Sequence, residues 1–95
     1  MFKKNRVLVE FDKHAIYRLN ERSATFNLDI DEAYERVLTT IHYGHHAKKH
    51  RSYKHTTYFH YFQDNLSFYV ICKTKRGKIW NKIKVKTIII ERGKP

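Results

Sequence analysis

The order of patterns in this chain predicts an α+β fold: two N-terminal helices packed on a three- to four-stranded antiparallel sheet. Three observations carry it. Residues 29–41 place apolar side chains at helical spacing behind a capping motif. Residues 56–90 are rich in aromatic and β-branched residues, in runs parted by turn signals. No repeat, low-complexity tract or linker interrupts the 95 residues, so the expectation is one domain spanning 1–95.

The elements follow in order. RVLVEF (6–11) reads as a short strand or an extended lead-in. Asp12 is positioned to cap a first helix, on which Ala15, Ile16, Leu19 and Ser23 share one side. DIDE (29–32) is a capping box that opens a second helix. Its stripe runs through Ile30, Ala33, Tyr34, Val37, Leu38 and Ile41, and Gly44 marks its end. HHAKKHRSYKH (45–55) reads as a basic loop or an edge strand. TTYFHYF (56–62) and LSFYVIC (66–72) form a hairpin across QDN. TKRGK turns the chain again, and IWNKIKVKTIII (79–90) alternates. That alternation places Ile79, Ile83, Val85, Thr87 and Ile89 on one face, with Trp80, Lys82, Lys84, Lys86, Ile88 and Ile90 on the other.

Composition narrows the function classes. Twenty Lys+Arg against nine Asp+Glu give a net charge of +11. So strong a field on so small a domain draws polyanions, with RNA the first choice and DNA the second. A membrane surface or an acidic protein ranks behind them. Seven of the nine acids lie in residues 1–35, so the cationic field belongs to the sheet half. The single cysteine, Cys72, excludes an internal disulfide and a cysteine-based zinc site, and it reads as an apolar filler. No apolar run reaches transmembrane length and no signal-peptide pattern opens the chain, which predicts a cytoplasmic protein with no membrane partner.

Three groups of residues carry chemistry. His14, Arg18 and Arg22 follow i, i+4, i+8 and form a row along the edge of the first helix's buried face. Such a row is either an anion site or a solvated flank paired with Asp12 and Glu21. Lys82, Lys84 and Lys86 form a one-face ladder on the last strand, which either tracks phosphates or guards the sheet against aggregation. Lys48, Lys49, Arg51 and Lys54 make the 45–55 segment a phosphate-gripping or merely solvated loop. The histidines at 42, 45, 46, 50 and 55 lie among these cations and lack carboxylate support, so neither a metal nor any other cofactor is expected. Aromatics beside lysines on the strands suit base stacking or, equally, the core.

The series KHAIYRLNER, an amphipathic helix, and strands ending in KVKTIII resembles the domain-of-unknown-function family numbered 4258, over roughly residues 10–92. The resemblance rests on His14, Ala15, Arg18, Arg22 and Thr87. The HHAKKHRSYKH insertion and the scarcity of glycine depart from the family's pattern. The family is grouped with the ribonuclease-toxin fold of barnase-like, RelE-like and colicin-type nucleases. The resemblance implies a metal-independent endoribonuclease toxin, with an acidic antitoxin as its partner. In that reading His14 is an acid or base, and Arg18 and Arg22 hold the phosphorane; His60, chosen on its chemistry alone and not carried by the resemblance, is the candidate second acid/base partner. Thr87, expected on the helix-facing side, would orient His14 or bind phosphate. The alternative is a non-catalytic basic phage or mobile-element protein that binds nucleic acid or blocks a host complex handling it.

Overall fold

A computed structural model describes residues 6–77 and 80–95. The fold is α+β, and its sheet is larger than expected. β1 (Arg6–Phe11), α1 (Lys13–Thr25), α2 (Ile30–Tyr43), β2 (His45–His46), β3 (Thr56–Tyr61), β4 (Leu66–Arg76) and β5 (Trp80–Arg92) follow in chain order. The five strands form one sheet in the order β1-β5-β4-β3-β2. It is mixed, because β1 runs parallel to β5 while every other pairing is antiparallel. The all-antiparallel expectation of three to four strands is therefore corrected. RVLVEF completes the sheet as its outer strand, and HH adds a two-residue strand at the opposite edge.

Local chemistry explains the helix ends. The Asp29 carboxylate accepts from the amides of Asp31 and Glu32 at 3.1 and 3.4 Å, satisfying donors that the first turn of α2 leaves open. Gly44 ends α2 for reasons of space. A Cβ there would run into the carbonyl oxygens of Thr40 and Phe59. Asp12 precedes α1 but makes no capping bond. Its carboxylate takes the Lys86 ammonium at 2.6 Å instead.

Both helices cover the same face of the sheet. Ala15 and Leu19 of α1 and Ala33, Val37 and Ile41 of α2 pack on Leu66, Phe68, Val70 and Cys72 of β4 and on Ile83, Val85, Ile88 and Ile90 of β5. Ile16, Ile30 and Tyr34, expected in the helix stripes, are 49%, 40% and 41% exposed instead. Cys72 is fully buried, and burial pushes its thiol up to about 12, so it is an inert part of the core.

The chain turns as the sequence indicates at 63–65, where Asn65 adopts a positive φ of 67°. Arg36 of α2 grips that turn with two bonds to Asp64, at 2.9 and 2.7 Å, and lies over the Phe62 ring at 5.0 Å.

β5 contains the main departure from simple alternation. Ile71 pairs with Thr87, yet the next residue, Cys72, pairs with Val85. Lys86 is thus an extra residue, a β-bulge that reverses the phase of the strand. Before it Ile83 and Val85 face the helices; after it Ile88 and Ile90 do. Thr87 and Ile89 consequently lie on the outer face.

Candidate functional site

The outer face of the sheet has two halves. Over one half, residues 47–55 fold back across the strands. The His50 ring meets the Tyr69 ring edge-on at 4.6 Å, and the Thr57 hydroxyl donates to the His50 carbonyl at 2.9 Å. Glu91 receives both Lys49 Nζ and His50 Nε2 at 2.9 Å. The Lys49 bond, then the His50 bond, hold the Glu91 carboxyl below the usual carboxylate range, and Glu91 raises Lys49 in return. Tyr69 is 1% exposed, and its hydroxyl finds no partner among the described residues.

The other half is bare and cationic. Register sets Lys73 directly opposite Lys84, and Lys75 directly opposite Lys82. All four point away from the helices, since their neighbours Cys72, Ile83 and Val85 point into the core. All four are exposed. Like charges in opposed cross-strand positions destabilise a sheet. Two ammoniums ~6 Å apart in water repel by about 0.7 kcal/mol, so the arrangement is tolerable but unrewarded by folding. The carboxylate nearest to them among the described residues is Glu10 of β1, which lies 3.8 Å from Lys82. It faces Lys84 in the ladder.

The same end of the β4–β5 ribbon also bounds a cleft on the helix side, of about 490 Å³. His42, His46, Thr56, Tyr58, Thr74 and Arg76 contribute to its wall, and it is lined by no carboxylate. Tyr58 meets the His46 ring at 5.6 Å, and burial raises its hydroxyl above the ordinary tyrosine value. Among the described residues no group of three or more His, Cys, Asp or Glu side chains is arranged to hold a metal ion.

The structure redistributes the expected site residues. His14, Arg18 and Arg22 do lie together on one flank of α1. Arg18 Nε is 3.4 Å from His14 Nε2, and His14 is exposed. Both arginines, however, converge on a single carboxylate oxygen, Glu21 Oε1, at 2.7 and 3.1 Å. The Arg18 bond, followed by the charges of Arg18 and Arg22, keeps Glu21 low. His60 is elsewhere. It sits on β3 against Phe62 at 4.6 Å, beside Arg36 and Thr39 of α2, two strands from the β5 strand on which α1 rests. Thr87 faces outward opposite Ile71, not toward α1, because the bulge reversed its phase.

The lysine ladder is likewise corrected. Lys86 leaves it for Asp12, whose carboxyl is lowered chiefly by that hydrogen bond. Lys73 and Lys75 of β4 complete it with Lys82 and Lys84. Lys73 and Lys75 are spaced two apart as Lys82 and Lys84 are, so once the antiparallel register sets Arg76 against Asn81, 73 meets 84 and 75 meets 82. Of the loop cations, Lys49 is spent on Glu91, while Lys48, Arg51 and Lys54 remain exposed.

No helix among the described residues is long and apolar enough to cross a membrane. No protein family, curated protein or solved structure matches the chain.

Proposed function

We propose that this is a nucleic-acid-binding protein whose phosphate-gripping element is the lysine-bearing end of the β4–β5 ribbon, from Lys73 to Lys75 on one strand and Lys82 to Lys84 on the other. The observation that supports this is the square of Lys73, Lys75, Lys82 and Lys84, two opposed like-charge pairs that outnumber the carboxylates Glu10 and Asp12 at their margin. A phosphodiester chain crossing that square turns a mild repulsion into several phosphate contacts. The helix-side cleft next to it, with Tyr58, His42 and His46, has the aromatic and hydrogen-bonding groups to receive an unpaired base. RNA in the cytoplasm fits this best, and an acidic host protein or antitoxin is the competing anion. Titration of the purified protein with labelled single-stranded RNA and duplex DNA across salt concentrations tests it. Four to six phosphates give a log–log slope of roughly −3 to −5. A flat salt response, or no binding at low salt, removes the proposal.

A second reading keeps the resemblance to the family numbered 4258 and its ribonuclease-toxin relatives. What favours it is the convergence of Arg18 and Arg22 on one oxygen beside exposed His14. A phosphate that displaced Glu21 would meet both guanidinium groups and a residue able to move a proton. Incubation with total RNA in EDTA decides it. Cleavage that His14→Ala lowers by roughly 10²–10⁴ supports a toxin-like nuclease. RNA left intact by the wild type leaves binding alone.

A further inference from the structure

The basic segment 47–55 and the adjoining strands bound a second polar cavity, of about 350 Å³. Lys48, Arg51, Ser52 and His55 contribute to its wall from that segment, and His46 and Thr56 from β2 and β3. No carboxylate among the described residues lines it. Lys48 and Arg51 are exposed and have no ion pair among the described residues, unlike Lys49 between them, which Glu91 holds at 2.9 Å.

The wall is held in place by bonds that leave its cations unused. The Ala47 amide donates to the Thr57 carbonyl at 2.8 Å, and the Thr57 hydroxyl donates to the His50 carbonyl at 2.9 Å. Ser52 and His55 form a bridge, and the Ser52 hydroxyl lies 3.0 Å from His55 Nδ1. That contact sets the imidazole and leaves Nε2 without a bond among the described residues. A wall ordered before the ligand arrives loses little freedom on binding.

The donors select the kind of anion. An internal phosphodiester brings a single charge and its two free oxygens. A terminal phosphomonoester brings nearly twice the charge near neutral pH, with three acceptor oxygens. One ammonium, one guanidinium, two imidazoles and two hydroxyls offer more donors than a diester's free oxygens can use. The arrangement suits the monoester, which charge-assisted bonds hold most strongly.

The neighbouring cleft identifies what carries that phosphate. His46 and Thr56 line this cavity and also the cleft that contains Tyr58, so the two share a wall. A base lying against Tyr58 would bring the phosphate of its own nucleotide to that wall. Building on the nucleic-acid reading, we propose that the cavity at Lys48, Arg51 and His55 binds the terminal phosphate of a nucleic-acid strand whose end nucleotide occupies the adjoining cleft. One cavity beside one cleft reads a strand in a single direction, so it accepts one phosphorylated end and not the other.

Fluorescence anisotropy with internally labelled single-stranded RNAs of one sequence tests this on the purified chain, at about 0.1 M salt. One RNA carries a 5′-phosphate and one a 3′-phosphate. The reference has hydroxyls at both ends and one further nucleotide, which nearly matches the added charge. One phosphorylated RNA should bind roughly tenfold tighter than the reference, and the other should not. Lys48→Ser and Arg51→Ser together should bring that ratio to about one. Serine at 73, 75, 82 and 84 should weaken all three RNAs and keep the ratio. Circular dichroism reports folding, and Arg51→Gln replaces the double variant should that one unfold. Three equal affinities that still depend on salt overturn the terminal-phosphate site and leave the lysine square standing. An equal gain from both phosphorylated ends overturns it too, since that is charge alone, and so does a ratio that the Lys48 and Arg51 changes do not move. If no RNA binds at low salt, the nucleic-acid reading fails and takes this site with it.

Discussion

The two halves of the sheet's outer face start from similar material and end differently. Both present lysines. In the half under residues 47–55, Lys49 and His50 share Glu91, and the loop lies on Tyr69. In the other, four lysines face one another, with Glu10 3.8 Å from Lys82 and Asp12, already bonded to Lys86, near Lys84. A cation bound to a carboxylate has its field cancelled within a few ångströms, whereas an unmatched one projects it. Net charge alone therefore does not locate a binding surface. What locates it is where folding leaves cations unmatched.

The comparison breaks most sharply on the square itself. Changing Lys73, Lys75, Lys82 and Lys84 together to serine should weaken nucleic-acid binding by roughly 10²–10³-fold near 0.1 M salt and flatten the log–log slope by about 3. The melting temperature should hold or rise, because two opposed like-charge pairs are gone. Unchanged affinity with falling solubility would show that the lysines only guard the sheet. Glu91→Gln attacks the other half. It should cost about 1–2 kcal/mol in thermal unfolding, speed hydrogen exchange in residues 47–55, and tighten nucleic-acid binding a few-fold by releasing Lys49.

Acid should do the same reversibly. Folding lowers the Glu91 and Asp64 carboxyls through Lys49 and Arg36. Their stabilisation is therefore present above the ordinary values of 4.5 and 3.8 and drains away as pH falls through the lowered folded ones. Thermal melts from pH 6 downward should show stability falling below about pH 4.5. Glu91→Gln should flatten part of that limb. The smallest effect belongs to Tyr69→Phe. Removing a buried hydroxyl without a described partner should change stability by no more than about 1 kcal/mol, and by less than the loss of a bonded hydroxyl such as that of Thr57.

The helices were legible in the sequence because their signals are local. Asp29 with its capping geometry, the Ala33–Val37–Ile41 stripe and the Gly44 stop need only nearby residues. The 63–65 hairpin was legible for the same reason. β1's place in the sheet was not, because a parallel pairing joins residues more than seventy positions apart. The bulge was hidden too. KIKVKTIII alternates convincingly on paper, and only the competing demand to bury Val85 and also Ile88 inserts an extra residue. That one shift explains both the outward turn of Thr87 and the loss of Lys86 from the ladder. The row on α1 was visible as a row. Glu21's place between its two arginines was visible as well, but that it holds both on one oxygen depends on rotamers.

Lys86 gives β5 a reading frame. Upstream of it, odd positions fill the core; downstream, even positions do. Substitutions along the strand can be absorbed one side chain at a time. Deleting Lys86 would keep the pattern too, because Thr87 would then follow Val85 directly as an outward residue while Ile88 and Ile90 stayed inward; what it would remove is the bulge and the bond to Asp12. Deleting Lys84 instead would make Ile83 and Val85 adjacent and set them on opposite faces. The strand should thus accept the loss of a residue at the bulge and resist it upstream, so functional drift of the cationic tip has to proceed by exchanging residues.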